Sequence, residues 1–238
     1  MFDNIKDKFG ARVFGKGYMY RIVSKKEVEA VGKISKEEKE NGIDSKHERY
    51  VPYDKGDKEG NRWYLETPYY INWAKNGIKA MKNLSGNRWD GSNFFFRNGF
   101  CVNNVLNPNS SYFKARLKDK TVNDVASMSL YDETELGDKY FVISLNSYFH
   151  FKMLREFINT TVNIQINDLK KLPIKIPTDK QLSKFNEKFD ACFKIKQQHF
   201  AGEINEAQAD ALLQPIEREI DWKKYITGIT YFHKSNIS

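Results

Sequence analysis

The spacing of apolar residues changes at Pro177, and that change sets the architecture open to this chain. Beyond it, Thr178 and Asp179 precede Leu182, Phe185, Phe189, Cys192 and Ile195 at intervals of three and four, the repeat that lines one face of an α-helix. After Gly202 comes a second set, Ile204, Ala207, Ala211, Ile216 and Ile220, in which Pro215 is expected to kink the helix or start a new one. Before Pro177, over residues 50–176, the texture is aromatic, β-branched and rich in Asn and Gly, with short apolar runs at 93–102 and 140–145 between turn residues. That pattern predicts short strands with interspersed helices.

Smaller pieces are read the same way. Phe94 and Phe96 alternate with Phe95 and Arg97, which suggests a strand ending in a hairpin tip at Arg97-Asn98-Gly99. Residues 147–158 fit one helix packed on the sheet through Phe149, Phe151, Met153, Leu154 and Phe157, and Val162, Ile164 and Ile166 alternate as a strand. At the start, Val13-Phe14, residues 18–20 and Ile22-Val23 suggest brief strands, and the Lys- and Glu-dominated stretch 24–48 an exposed helix or loop. The expectation is an α+β fold, with a mixed, mainly β domain carrying packed helices over 1–178. A helical C-terminal appendage over 179–238 is expected to dock on it.

Several classes of function find no support. No stretch approaches the roughly 18 to 20 consecutive apolar residues of a membrane span, and MFDNIKDKFG lacks a signal-peptide core, so a cytoplasmic protein with no membrane partner is expected. Cys101 and Cys192 lack partners at metal spacing and read as small core residues. His47, His150, His199 and His233 are scattered, and Glu37, Glu38 and Glu40 lie among lysines as on a helix surface, so no metal site is expected. Neither a phosphate-cradling glycine loop nor a serine nucleophile elbow is present.

Charge is more informative. Over 75–120, Lys75, Lys79, Lys82, Arg88, Arg97, Lys114, Arg116, Lys118 and Lys120 face only Asp90 and Asp119, so +7 of the formal +8 sits there. Concentrated positive charge is what phosphate attraction needs, because each neutralised phosphate releases condensed counterions. Just upstream, the polar turn 54–61 carries Lys55 and Lys58 and leads to Arg62 and Trp63, with Asn72, Trp73 and Lys75 following. Long basic donors suit phosphates or guanine edges, and an Asn suits an adenine edge. Trp63, Tyr69, Tyr70 and Trp73 of this stretch read first as ordinary core aromatics and second as contacts. Arg88 and Trp89 in one turn, Arg97 and Asn98 in the next, and Lys114 and Arg116 beyond complete the candidate DNA-binding set.

In order along the chain, YVPYDKG, RWY, YYINW, FFFRNGF, SLNS and VNIQINDLKKLPIKIP resemble the C-terminal target-recognition (specificity) region of type II N6-adenine DNA methyltransferases of restriction-modification systems. Fused restriction-methylases and phage-defence methyltransferases belong to the same group. The likeness covers about residues 50–220, the helical tail with FAGEIN included. It implies major-groove reading of double-stranded DNA, with Lys55, Arg62, Trp63, Trp73, Arg88 and Arg97 in segments that face the duplex. Complete members methylate a flipped adenine using S-adenosylmethionine. Their signature of Asn or Asp before Pro-Pro-Tyr is missing, the nearest string being Asn107-Pro108-Asn109-Ser110, and so is a glycine-rich cofactor loop.

The resemblance therefore implies a recognition fragment without catalysis or cofactor of its own. Its partners would be double-stranded DNA and a catalytic methyltransferase domain in cis or in trans, the parent possessing S-adenosylmethionine chemistry and a nuclease where fused. Rival readings are a stand-alone specificity subunit of a multi-subunit restriction system, a divergent nuclease, and a single-stranded nucleic-acid binder stacking bases on Trp63, Trp73 and Trp89.

Overall fold

The computed structural model describes residues 12–15, 18–22, 34–47, 49–57, 60–66, 69–83, 89, 91–106 and 110–220. Among them the elements run β1 (Arg12–Gly15), β2 (Tyr18–Ile22), α1 (Lys36–Asn41), β3 (Tyr50–Asp54), β4 (Tyr69–Asn72), α2 (Lys75–Asn83), β5 (Gly99–Asn103), β6 (Arg116–Lys118), β7 (Val122–Asn123) and β8 (Ser127–Leu130). Helices follow: α3 (Asp138–Leu145), α4 (Tyr148–Met153), a π-helical turn (Leu154–Ile158), α5 (Ile166–Leu169), α6 (Asp179–Phe200) and α7 (Glu206–Ile220). The fold is α+β, with helix outweighing strand among the described residues. The chain forms two compact units from interleaved segments: residues 1–55, 67–98 and 119–124 make the first, and 56–66, 99–118 and 125–238 the second.

The first unit is a five-stranded sheet in the order β1-β2-β4-β3-β7. Its neighbours are antiparallel except the parallel pair β3 and β7. Alternation along β3 and β4 turns Val51, Tyr53, Ile71 and then Trp73 inward, onto Ile78 and Met81 of α2 and onto Phe96 and Val122. Helix α1 is started by a capping box, Ser35 Oγ accepting from Glu38 N at 3.1 Å and Glu38 Oε2 from Ser35 N at 2.8 Å. It stops at Gly42, whose φ of +90° suits a residue without Cβ; a Cβ there would also meet Ile78 at 2.9 Å.

The second unit has a three-stranded antiparallel sheet, β6-β5-β8, covered on one face by helices. Phe100 of β5 stacks on Phe141 of α3 at 5.6 Å, Phe113 meets Phe151 edge-on, and Tyr140 meets Phe185 of α6. β5 and β8 lie so close that a Cβ on Gly99 would fall 2.4 Å from the Leu130 carbonyl oxygen. The capping box at Thr178 opens α6 as the spacing predicts, and Phe185, Phe189 and Cys192 enter the same core as the sheet. Helix α7 runs through Pro215 without interruption and adds Leu213 and Ile220. The helices from 179 onward are thus part of the second unit's core.

Five sequence expectations give way. In α7 the buried residues are Ala209, Leu213 and Ile220, while Ala207 and Ala211 of the expected stripe are exposed. Residues 140–145 are helix, not strand: every one of them is buried, so no polar face marks a helical period. Phe94 closes a 3-10 turn at Ser92–Phe94 and Phe96 has φ +61°, so Arg97 and Asn98 lead into β5 instead of tipping a hairpin. Residues 162–166 do not form a strand; Asn163 makes one bridge to Val105, and α5 begins at Ile166. The single helix expected over 147–158 widens into the π-turn, which turns Phe157 to solvent, 74% exposed. The expected strands near 13–22 are present as β1 and β2, and α1 lies within the charged stretch, whose residues 24–33 fall outside the described residues.

Candidate nucleic-acid interface

In the first unit, β4 hands over to α2 through a turn that uses Asn72. Its Oδ1 accepts hydrogen bonds from Arg49 N at 3.2 Å and Ala74 N at 3.1 Å. An Asn reads adenine with Oδ1 and Nδ2 together; with Oδ1 already serving two backbone donors, Asn72 is a turn residue. Trp73 is also removed from contact: it is 1% exposed, its Nε1 donates to Glu38 O at 3.0 Å, and the rings of Phe95 and Phe96 stand edge-on to it.

The helix that follows carries the cations outward. Lys75, Lys79 and Lys82, spaced four and three apart, lie along one exposed stripe, while Ala74, Ile78 and Met81 are buried. Lys75 Nζ meets Asp44 Oδ2 at 2.8 Å with both side chains solvated, a pairing weak enough for a phosphate to replace. Lys82 Nζ stands 5.2 Å from the ring centroid of Trp89, and the half-buried Trp89 lies parallel to Trp73 at 5.9 Å. Arg97 and Asn98 are exposed, Arg97 resting over the Phe94 ring at 5.3 Å. Lys55, half-buried, sits over Tyr69 at 5.3 Å. Lys58 and Arg88 lie outside the described residues.

The candidates of the second unit are mostly internal. Trp63 is 1% exposed and donates from Nε1 to Glu217 Oε1 at 3.0 Å, while Arg62 binds Glu217 Oε2 at 2.6 Å and covers Tyr112. Both residues are therefore fastened to α7 and do not reach toward a ligand. Arg116 is 3% exposed, with Nη2 3.5 Å from Ser127 Oγ. In Ala115-Arg116-Leu117-Lys118, Ala115 and Leu117 face the apolar core, so Arg116 and Lys118 share the opposite face of β6. Lys114 is half-buried alongside Gly60. Of the three tryptophans considered as stacking platforms, only Trp89 retains open surface.

The second unit also holds perturbed groups that are structural. His150 is buried, its Nε2 donating to Pro173 O at 2.7 Å and its Nδ1 2.9 Å from Ser147 Oγ, and burial holds the ring pKa below its ordinary value. Lys196 is held low by burial against the attraction of Asp210, Glu206 and Asp57, and donates to Asn61 Oδ1 at 3.0 Å. Burial pushes the Cys192 thiol up to about 12, so it is unreactive core; Cys101 is buried as well. Among the described residues no group of His, Cys, Asp and Glu is arranged to hold a metal, and no helix is long and apolar enough to cross a membrane.

Sequence reasoning counted Lys79 and Lys82 in the charge total without placing them at the site; their spacing from Lys75 was the available signal. No family model matches this chain, nor does any curated protein. Among solved structures it is similar to the Type IIL restriction-modification enzyme MmeI in complex with DNA, at a TM-score of 0.52 and 13% identity, over 73% of this chain and 27% of that one. At that identity the shared property is the fold, and this chain corresponds to about a quarter of the enzyme's length.

Proposed function

We propose that this chain recognises double-stranded DNA for a restriction-modification adenine methyltransferase, by binding and not by turnover. The observation that carries the reading is the exposed stripe of Lys75, Lys79 and Lys82 on α2, with Lys82 against Trp89 and with Arg97 and Asn98 exposed in the same unit. Lysines on one helix face anchor phosphates, and the exposed Arg97 and Asn98 are suited to base edges. The likeness of fold to a DNA-bound restriction-modification enzyme supports the setting. Adenine as the modified base, S-adenosylmethionine as methyl donor, and a catalytic domain acting in cis or in trans once the base leaves the stack follow from the ordered sequence resemblance.

The test is selection from a randomised duplex pool at low salt, with an Arg97→Ala chain and a Lys75→Gln, Lys79→Gln, Lys82→Gln chain alongside. Enrichment of one short adenine-containing motif is expected, blurred by Arg97→Ala and uniformly weakened by the triple variant. Equal retention of single strands and duplexes, or retention unchanged in both variants, overturns the reading.

A further inference from the structure

Phe157 is 74% exposed, and the backbone builds that exposure. The π-helical turn closes through Asn159 N donating to Leu154 O at 2.8 Å, with Leu154 fully buried at its root. Because this turn is one residue wider than an α-turn, Ile158 takes the inward place and Phe157 is carried outside. The mount is cross-braced. Asn159 Oδ1 accepts from Thr161 N at 2.8 Å and Thr161 Oγ1 at 2.7 Å, and Asn159 Nδ2 donates to Asn163 O and to Asp168 Oδ2. Arg155 Nη1 donates to Thr161 O. Leu106 N reaches Val162 O at 2.8 Å and Ile164 N reaches Asn104 O at 2.9 Å, which brings up Val105 and Val162, 55% and 38% exposed.

We propose that Phe157 is a wedge that enters the base stack of duplex DNA, with Lys170 and Lys171 on the flanking phosphates; this rests on the DNA-binding reading and assigns the second unit a contact of its own. A single aromatic ring on a braced turn, on a unit that also carries exposed Thr160, Asn163, Gln165 and Asn167, exposed Lys170 and Lys171 (Lys171 3.9 Å from Asp168) and Glu156 ion-paired to Lys152, matches an apolar stack edged by phosphates. A stable protein partner needs about 800 Å² from each side, which three apolar side chains among amides, hydroxyls and charged groups do not supply. The wedge also gives the solvated Phe157 ring a place to be buried.

The test uses the full chain and short duplexes carrying 2-aminopurine at successive positions of the retained sequence, or of a mixed sequence if none is enriched. Binding is read by anisotropy and unstacking by 2-aminopurine emission. The expected result is a rise in emission at one step, lost in Phe157→Ala with affinity about tenfold weaker and kept in Phe157→Trp, with thermal stability unchanged. Binding without a rise at any position overturns the wedge and leaves the DNA reading standing. No binding overturns both. A Phe157→Ala chain that changes oligomeric state while DNA binding and emission stay the same assigns the ring to a protein contact and overturns the wedge.

Discussion

Arg62 and Trp63 share one carboxylate, that of Glu217, which lies 154 residues beyond Trp63 in the sequence. In Glu217→Ala the buried indole N–H loses its acceptor and the Arg62 guanidinium, 20% exposed, loses its counter-charge. The expected loss is about 2–3 kcal/mol of stability, read as a lower urea midpoint. Glu217→Gln, which keeps an acceptor for the indole, recovers part of it. The sequence could not show this: a polar turn with Arg next to Trp looks the same whether it faces DNA or a distant Glu. Arg97 is the contrasting case. It is exposed although the hairpin tip its surroundings suggested does not form, and Arg97→Ala is expected to weaken base discrimination while leaving the thermal midpoint within about 1 °C, since exposed substitutions change stability little.

Among elements, α2 shows a period that was present in the spacing but not read as a helix. Its lysine stripe and buried Ile78 and Met81 are both written in the spacing, and replacing Lys75, Lys79 and Lys82 with Gln should reduce the slope of log affinity against log salt by about 3. Helix α3 shows the limit, because a helix buried on every side has no polar face to announce its period. The π-turn is a second limit: one extra residue per turn exchanges the inward roles of Phe157 and Ile158, and composition does not reveal it. Helix α4 carries a pH dependence. His150 is kept neutral by burial, below its ordinary value of 6.5, so an unfolded chain takes up the proton first as pH falls. The unfolded state then binds more protons, and stability, complete above that value, declines as pH is lowered through it until the folded ring titrates. Urea midpoints should fall between about pH 7.5 and 5.5, and His150→Gln should flatten that decline.

For the whole molecule, the α+β class and the presence of two C-terminal helices were legible, because long amphipathic patterns are strong signals, whereas the face of α7 was not: Ala209 and Leu213 are buried and the expected Ala207 and Ala211 are exposed. The division into two units was not, since it depends on β7 returning to the first sheet between β6 and β8 of the second. That interleaving also governs synthesis. The strand that completes the first sheet, β7, is Val122–Asn123, whereas the rest of that sheet ends at Asn72. A ribosome must therefore finish β5 and β6, which belong to the other unit, before it releases the residues that close the first. Neither unit can be completed on the nascent chain ahead of the other's early strands, so a stalled or prematurely ended chain leaves the edge of β3 without its parallel neighbour and open to pairing with another molecule.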